Sequence, residues 1–246
     1  MNCAASTETI LGARQHLKPL SSPESDVQIW VAHLDSISSK EIEHFVASLD
    51  TSERRRAEKF HSTQDRHRYV AAHGLLRFVL GETLGRPANA LVLEKSTEGK
   101  SQLRQSPHDE RRLKFNLSHA ASWELIAIGW NRELGVDLES PKSLPDDDDS
   151  LSQLAATVFS KRELEIWNTI PSPQTRRAEF LRMWTRKEAY VKATGEGLRH
   201  DLANIEVPAE AAPFDVASAK RPKDRWIVHD LSVPAELTAA LAVEAC

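Results

Sequence analysis

A chain of 246 residues with 40% hydrophobic and 28% charged side chains has the profile of a soluble globular protein, able to bury a sizeable core as one large domain or two moderate ones. Its net charge of −4 argues against a general nucleic-acid binder, and its two cysteines, Cys3 and Cys246, sit at the ends, which excludes a disulfide framework or a cysteine-built metal site and favours a reducing compartment. The first 25 residues lack a long apolar core and a small-residue cleavage pattern, so they read as a flexible N-terminal tail without a secretory signal. No later segment approaches membrane-span length, and the protein is expected to be cytoplasmic with no membrane partner. In chain order, "VQIWVAHL" (27–34) has the apolar, β-branched character of a strand. "KEIEHFVASL" (40–49) and "RHRYVAAHGLLRFVLGETLG" (66–85) carry apolar residues at helical spacing, the second stopping at Gly85 before Pro87. These elements predict two or three helices on a sheet.

Between 51 and 77 the charge turns basic: Arg54, Arg55, Arg56, Lys59, Arg66, Arg68 and Arg77 outnumber Glu53, Glu58 and Asp65. A local basic segment on an acidic protein suits a compact polyanion better than a long duplex, although a solvated helix face accounts for it equally well. "SWELIAIGW" (122–130) and "LGVDLES" (134–140), separated by "NRE", predict two adjacent strands joined by a tight connection. "PKSLPDDDDS" (141–150) reads as an extended loop kept open by two prolines and four repelling aspartates. In "FSKREL" (159–164) Ser160 and Glu163 have capping-box spacing, so a helix begins there. A further helix is expected over Thr175 to Ala193, followed by strands in "RWIVHDLSV" and "LTAALAVEA".

Chemistry concentrates in three stretches. In "GVDLES", Asp137 and Glu139 are two apart and share one strand face, while Val136 and Leu138 turn to the other, apolar one. Paired carboxylates of this kind repel unless a base or cation intervenes, and a third carboxylate from a helix would complete a site for a hard cation such as magnesium. "MWTRKEAYVKATGEGL" (183–198) places Trp184, Glu188 and Lys192 at i, i+4 and i+8 on one helix face. That ladder is either a surface salt bridge or one wall of a site. "KFNLSHA" (114–120) offers Asn116, Ser118 and His119. Neighbouring side chains on an extended segment point apart, and no nucleophile elbow surrounds the serine, which argues against hydrolase chemistry and leaves phosphate binding or a core histidine.

Taken together and in this order, "FNLSHA", "GVDLE" and "WTRKEAYVKATGEGL" resemble the three motifs of 4'-phosphopantetheinyl transferases, especially the long, single-chain, surfactin-synthetase-activating type. "RRRAEKF", "DRHRYVAAHGLLR" and "VFSKREL" extend the resemblance over most of residues 27 to 200. The resemblance implies an α+β protein of two similar α/β halves in pseudo-twofold arrangement, with residues 26–133 as the coenzyme A-binding half and 134–246 as the half carrying the magnesium and catalytic motifs. It implies Asp137, Glu139 and Glu188 as magnesium carboxylates, and Glu188 and Lys192 as catalytic groups. Arg56, Lys100, Ser118, His119, Asp137 and Lys192 would lie against coenzyme A. The sequence departs from the family pattern at Ser101, where a proline is common after the lysine, and at Glu53, where some relatives carry a second lysine.

The activity so implied is magnesium-dependent transfer of 4'-phosphopantetheine from coenzyme A to a serine of an apo acyl or peptidyl carrier protein, releasing adenosine 3',5'-bisphosphate. Such carriers serve fatty acid, polyketide or nonribosomal peptide biosynthesis. The enzyme is expected to work as a monomer. Two rival readings are a coenzyme-binding protein without turnover, against which the full acidic set with Lys192 argues, and a magnesium-dependent nuclease, which predicts strong salt-dependent affinity for polynucleotide.

Overall fold

The computed structural model describes residues 12–97, 99–106, 108–195, 202–208, 214–215 and 225–245. Two four-stranded antiparallel sheets form its centre. The first runs β1 (Lys18–Leu20), β2 (Val27–His33), β6 (Trp123–Trp130), β5 (Leu113–Ala120). The second runs β7 (Leu134–Glu139), β10 (Thr238–Glu244), β9 (Arg225–Leu231), β8 (Phe214–Asp215). A short hairpin of β3 (Leu93–Lys95) and β4 (Ser101–Leu103) stands apart from both.

Alternation along the strands explains the layering. Val27, Ile29, Val31, Leu125 and Ala127 of the first sheet share one buried cluster with Leu134, Val136, Leu138, Leu241 and Val243 of the second, so the two sheets pack on each other through these faces. The opposite face of the first sheet, including Phe115, Ile126 and Ile128, is covered by the 22-residue helix α3 (Thr63–Leu84), which follows α1 (Ser39–Ser48) and α2 (Thr51–Ala57). The opposite face of the second sheet is covered by another 22-residue helix, α6 (Pro173–Thr194), through Ala189, Tyr190 and Ala193. Between β7 and α6 lie α4 (Asp148–Val158) and α5 (Lys161–Asn168), which close a separate cluster around Phe159, Trp167 and Phe180. Both long helices stop at glycines in the left-handed region, Gly85 at φ 61° and Gly195 at φ 74°, a conformation that side chains with a Cβ resist. Among the described residues no helix is long and apolar enough to cross a membrane.

Capping follows the sequence closely. Ser38–Glu41, Asp50–Glu53 and Ser160–Glu163 each form a reciprocal capping box. Four expectations are corrected. Residues 12–25 are not a loose tail: Ala13 and Leu17 are buried, β1 pairs with β2, and the Glu24 carboxylate accepts hydrogen bonds from Arg132 and His229. The strands around "NRE" are not paired neighbours. β6 joins the first sheet and β7 the second, because β7 takes its ladder from β10, while the register of β6 is filled by β2 and β5. The aspartate run is not a plain loop. Asp147 caps α4 and Asp148 and Asp149 fill its first turn, where negative charge is favoured by the helix dipole. Finally, α6 begins at Pro173, at the helix start that its fixed φ suits, rather than at Thr175.

The halves are tied by side chains as well as by their shared core. Asn116 Oδ1 on β5 accepts from the Val136 N–H on β7 at 3.0 Å, and Arg132 reaches Asp26 and the Glu244 carbonyl. β7 lies so close to α6 that a Cβ on Gly135 would land inside the backbone of Ala189 and Ala193. That close approach sets the geometry of the site.

Candidate active site

Because α6 runs against β7, its i, i+4 ladder acquires a partner. Ala189 and Ala193 present no bulk to the strand, and the neighbouring positions Glu188 and Lys192 face an open cleft of about 1150 Å³ between the halves. Lys192 Nζ donates to Asp137 Oδ1 at 2.6 Å and to Ser118 Oγ at 2.8 Å, and Ser118 Oγ in turn donates to Asp137 Oδ1 at 2.9 Å. One ammonium thus joins β5, β7 and α6. The ladder is therefore no exposed Glu188–Lys192 pair: Glu188 is 9% exposed, and the cation goes to Asp137. Lys187, next to Glu188 in the motif, turns the other way into the core, where it donates to the Val158 and Leu202 carbonyls and pairs with Glu163.

The carboxylates lie where the alternation puts them, but not in solvent. Asp137 is 3% exposed, since the face of β7 opposite the inter-sheet core is roofed by α6. Burial pushes the Glu188 carboxyl above the ordinary carboxylate range and the negative charge of Asp137 adds to this, with Lys192 opposing. Glu139 is likewise raised by burial and by Asp137, against hydrogen bonds from Trp184 and Ser143. Trp184 Nε1 donates to Glu139 Oε1 at 3.1 Å and Ser143 Oγ to Oε2 at 3.2 Å, which fixes the orientation of that carboxylate.

Among the described residues no three histidine, cysteine, aspartate or glutamate side chains are gathered closely enough to be a ready-made metal cluster. The donor chemistry nevertheless suits a hard cation: Asp137 Oδ2 and Glu188 Oε1 are buried oxygens without a hydrogen-bond partner. A cation on those two atoms would satisfy both and offset the mutual repulsion that raises Glu139 and Glu188.

The remaining expected residues divide. His119 and Arg56 line the same cleft, with the Arg56 guanidinium 5.9 Å from the Tyr69 ring centre. Burial holds the His119 imidazole below its ordinary value, helped by the charges of Lys192 and His73 and opposed by Asp137. Lys100 contributes its stem to the cleft wall, but its ammonium joins the halves, donating to Glu133 Oε2 at 3.0 Å and to the Leu134 and Ala193 carbonyls at 3.1 and 2.8 Å. The sequence reading of Lys100 as a nucleotide contact does not foresee this, because Glu133 and Ala193 are 33 and 93 positions away. Glu196, Gly197 and Leu198 of the third motif lie outside the described residues.

Sequence reasoning also misses Ser143, Tyr69 and His73. Tyr69 and His73 stack at 4.2 Å on the cleft wall, and His73 is held by Glu53 at 2.8 Å. Their i, i+4 spacing on α3 is a signal that could have been read. Ser143 has none, since its role depends on where a 3₁₀ turn falls after β7.

Comparison with known proteins is consistent across both halves. The 4'-phosphopantetheinyl transferase superfamily model matches residues 133–242, and the model described as 4'-phosphopantetheinyl transferase, N-terminal, matches residues 36–130. The 4'-phosphopantetheinyl transferase HetI of Nostoc sp. is 34% identical, covering 89% of this chain and 87% of that protein. The 4'-phosphopantetheinyl transferase psf-1 of Bacillus pumilus is 28% identical over 70% of this chain and 68% of its own length. The L-aminoadipate-semialdehyde dehydrogenase-phosphopantetheinyl transferase of Xenopus laevis is 29% identical over 68% of this chain and 56% of its own. With both halves matched and a relative this similar along most of its length, the chain belongs to the 4'-phosphopantetheinyl transferase superfamily and is a phosphopantetheinyl transferase of the long type.

Proposed function

We propose that this enzyme moves the 4'-phosphopantetheine group of coenzyme A onto a serine hydroxyl of an apo acyl or peptidyl carrier protein, with release of adenosine 3',5'-bisphosphate. The observation that supports this reading best is the cleft in which Lys192 joins Ser118 and Asp137 while Glu188, one turn back on α6, keeps a buried and unpartnered oxygen. Asp137, Glu139 and Glu188 would hold magnesium, which when bound supplies positive charge to neutralise the pyrophosphate. Lys192 stabilises the charge that develops on the leaving oxygen. Glu188 takes the serine proton as the serine oxygen–phosphorus bond forms and the bond to the departing bisphosphate breaks. Ser118, His119 and Arg56 bind and orient phosphate oxygens. We further infer that the halves are related by a pseudo-twofold axis, since each pairs a four-stranded antiparallel sheet with a 22-residue helix closed by a left-handed glycine. Intact-mass analysis of apo acyl and peptidyl carriers incubated with enzyme, coenzyme A and magnesium tests the activity. No mass gain on any carrier would overturn it.

His119 and Arg56 line the cleft and, among the described residues, donate no hydrogen bond to the carboxylates, so their loss should act on coenzyme binding rather than on the chemical step. His119→Ala and Arg56→Ala are each expected to weaken apparent coenzyme A affinity by about 1.5–3 kcal/mol, the usual worth of a charge-assisted hydrogen bond, with a smaller change in maximal rate. Steady-state kinetics with varied coenzyme A checks this, and a His119→Ala variant that loses turnover at unchanged affinity would contradict the assignment.

One chain contributes both walls of the cleft, so the enzyme should be active as a monomer. Specific activity is expected to stay constant on dilution through the concentration range in which sedimentation shows a single chain. Activity that collapses as a dimer dissociates would rule this out.

A further inference from the structure

The β3–β4 hairpin belongs to neither four-stranded sheet, yet Leu93 and Lys95 on it, and Lys100 in its turn, form part of the cleft wall. Its turn presents Lys100 in a fixed direction. The Ser96 N–H donates to the Lys100 carbonyl at 2.8 Å and the Lys100 N–H to Ser96 Oγ at 3.1 Å, while Gly99 takes the left-handed φ of 92° that the reversal needs. From there the side chain crosses to the second half. Its stem packs on Gly195, the residue that closes α6, where an added Cβ would stand 3.4 Å from Lys100 Cδ. An ammonium has three N–H donors, and this one meets three acceptors: Glu133 Oε2, the Leu134 carbonyl that opens β7 and the Ala193 carbonyl in the last turn of α6. None is left for a coenzyme phosphate unless one of these bonds breaks. Glu133 is held in turn by Lys114 of β5 at its other oxygen.

The choice of carbonyls gives the contact its meaning. Leu134 adjoins Gly135, and it is at Gly135 that β7 touches the backbone of Ala193. Lys100 therefore staples the two sides of the β7–α6 seam together from a third element. Lys192 precedes Ala193 on α6, and Asp137 follows Gly135 along β7, so the 2.6 Å contact between them lies just beyond the staple. Any slide of α6 away from β7 breaks the Lys100 bonds and the Lys192–Asp137 contact together. Burying an ammonium adds little net stability, because lost hydration offsets the attraction. What three acceptors on adjoining elements do add is a single geometry, with positive charge at the helix end that favours it.

We propose that Lys100 is a positioning residue for Lys192. It holds the end of α6 against the start of β7, so that the Lys192 ammonium stays over the cleft on Asp137 and Ser118, and it does not itself bind the coenzyme phosphates. The consequence for the rate rests on the phosphopantetheine-transfer reading of the cleft; the consequence for the geometry does not.

Lys100→Met keeps an unbranched stem and removes the ammonium. Per folded molecule, its kcat should fall about ten- to a hundredfold, the usual cost of displacing a catalytic group by about 1 Å, while KM for coenzyme A changes by less than about twofold. Lys100→Arg, which can donate to the same acceptors, should recover part of the rate. A KM that rises at unchanged kcat would overturn the proposal and make Lys100 a coenzyme contact. Unchanged kcat and KM would overturn it too, leaving the ammonium a structural pair. A second reading needs no turnover. In ligand-free protein carrying nitrogen-labelled lysine, the Lys192 ammonium, identified by its loss in Lys192→Met, should give a protected NMR signal at low temperature. In Lys100→Met that signal should broaden or vanish, while that of Lys187, held by the Val158 and Leu202 carbonyls, persists. An unchanged Lys192 signal would overturn the proposal. Should Lys100→Met fail to fold, Glu133→Gln weakens one acceptor and leaves the donors in place; both readings should then move in the same direction by less, and no movement in either would overturn it. Absence of carrier modification by the unaltered protein would instead remove the transfer reading, and the ammonium signals would decide the geometric claim alone.

Discussion

Asp137→Ala, Glu139→Ala and Glu188→Ala are each expected to lower the rate of phosphopantetheine transfer by about a thousandfold or more, roughly 4 kcal/mol of transition-state stabilisation, while the fold persists. For Glu139 and Glu188 the reason is that these side chains do little for stability in the ligand-free protein, whereas Asp137→Ala also takes away the partner of Lys192 and Ser118 and should lower the melting temperature. Glu139 and Glu188 titrate above the ordinary carboxylate range because they are buried beside Asp137. The folded protein then holds those protons more tightly than the unfolded chain. Stability is therefore fully present at acidic pH and falls as pH rises from the unfolded-state value through the raised folded one. At neutral pH the cost has been incurred, so Glu188→Gln should melt at or above the temperature of the unaltered protein. Magnesium with coenzyme A should raise the melting temperature of the unaltered protein more than that of Glu188→Gln, because a ligand that binds only the folded form stabilises it. Carrier mass followed against time, together with these melting curves, checks both arms. Near-normal rates in any two of the three alanine variants at saturating magnesium would show that the carboxylates are not the cation site.

The second large effect is expected at Gly135, which looks unimportant in sequence. Gly135→Ala should destabilise the protein by at least about 3 kcal/mol, at the upper end of what overpacking costs, because the added Cβ meets backbone atoms of Ala189 and Ala193 and not a side chain that can swing aside. The strain falls on the seam between β7 and α6, the element pair that brings Asp137 to Lys192. Relief by sliding α6 outward would lengthen that 2.6 Å contact, so any folded fraction should also transfer poorly. Chemical denaturation measures the first effect and residual activity per folded molecule the second. A variant with ordinary stability and rate would mean that the seam is looser than this packing requires.

Much of the molecule is written locally. Capping boxes at Ser38, Asp50 and Ser160, the left-handed stops at Gly85 and Gly195, and the 3.6-residue periodicity of α3 and α6 need only near neighbours in the chain. So does the sharing of one helix face by Glu188 and Lys192, and of one strand face by Asp137 and Glu139. The motif order was enough to point to a family. What periodicity cannot carry is which face meets which. That Lys192 chooses Asp137 and Ser118 over Glu188 depends on contacts 55 and 74 positions apart. That β6 and β7 part into different sheets depends on β10, more than 90 residues downstream, offering β7 a full ladder. Trp184 holding Glu139, Lys100 fastening the two halves, and the burial of Glu124 across the ladder from His119 belong to the same class. Sequence by itself determined most of the elements and the chemical groups each carries, because those follow from short-range sterics, hydrogen bonding and periodicity, though not β1 or the helix start in the aspartate run. Only the tertiary structure decided how charges pair and which carboxyls are deprived of water, because pairing and burial are properties of surfaces that meet after the chain has folded.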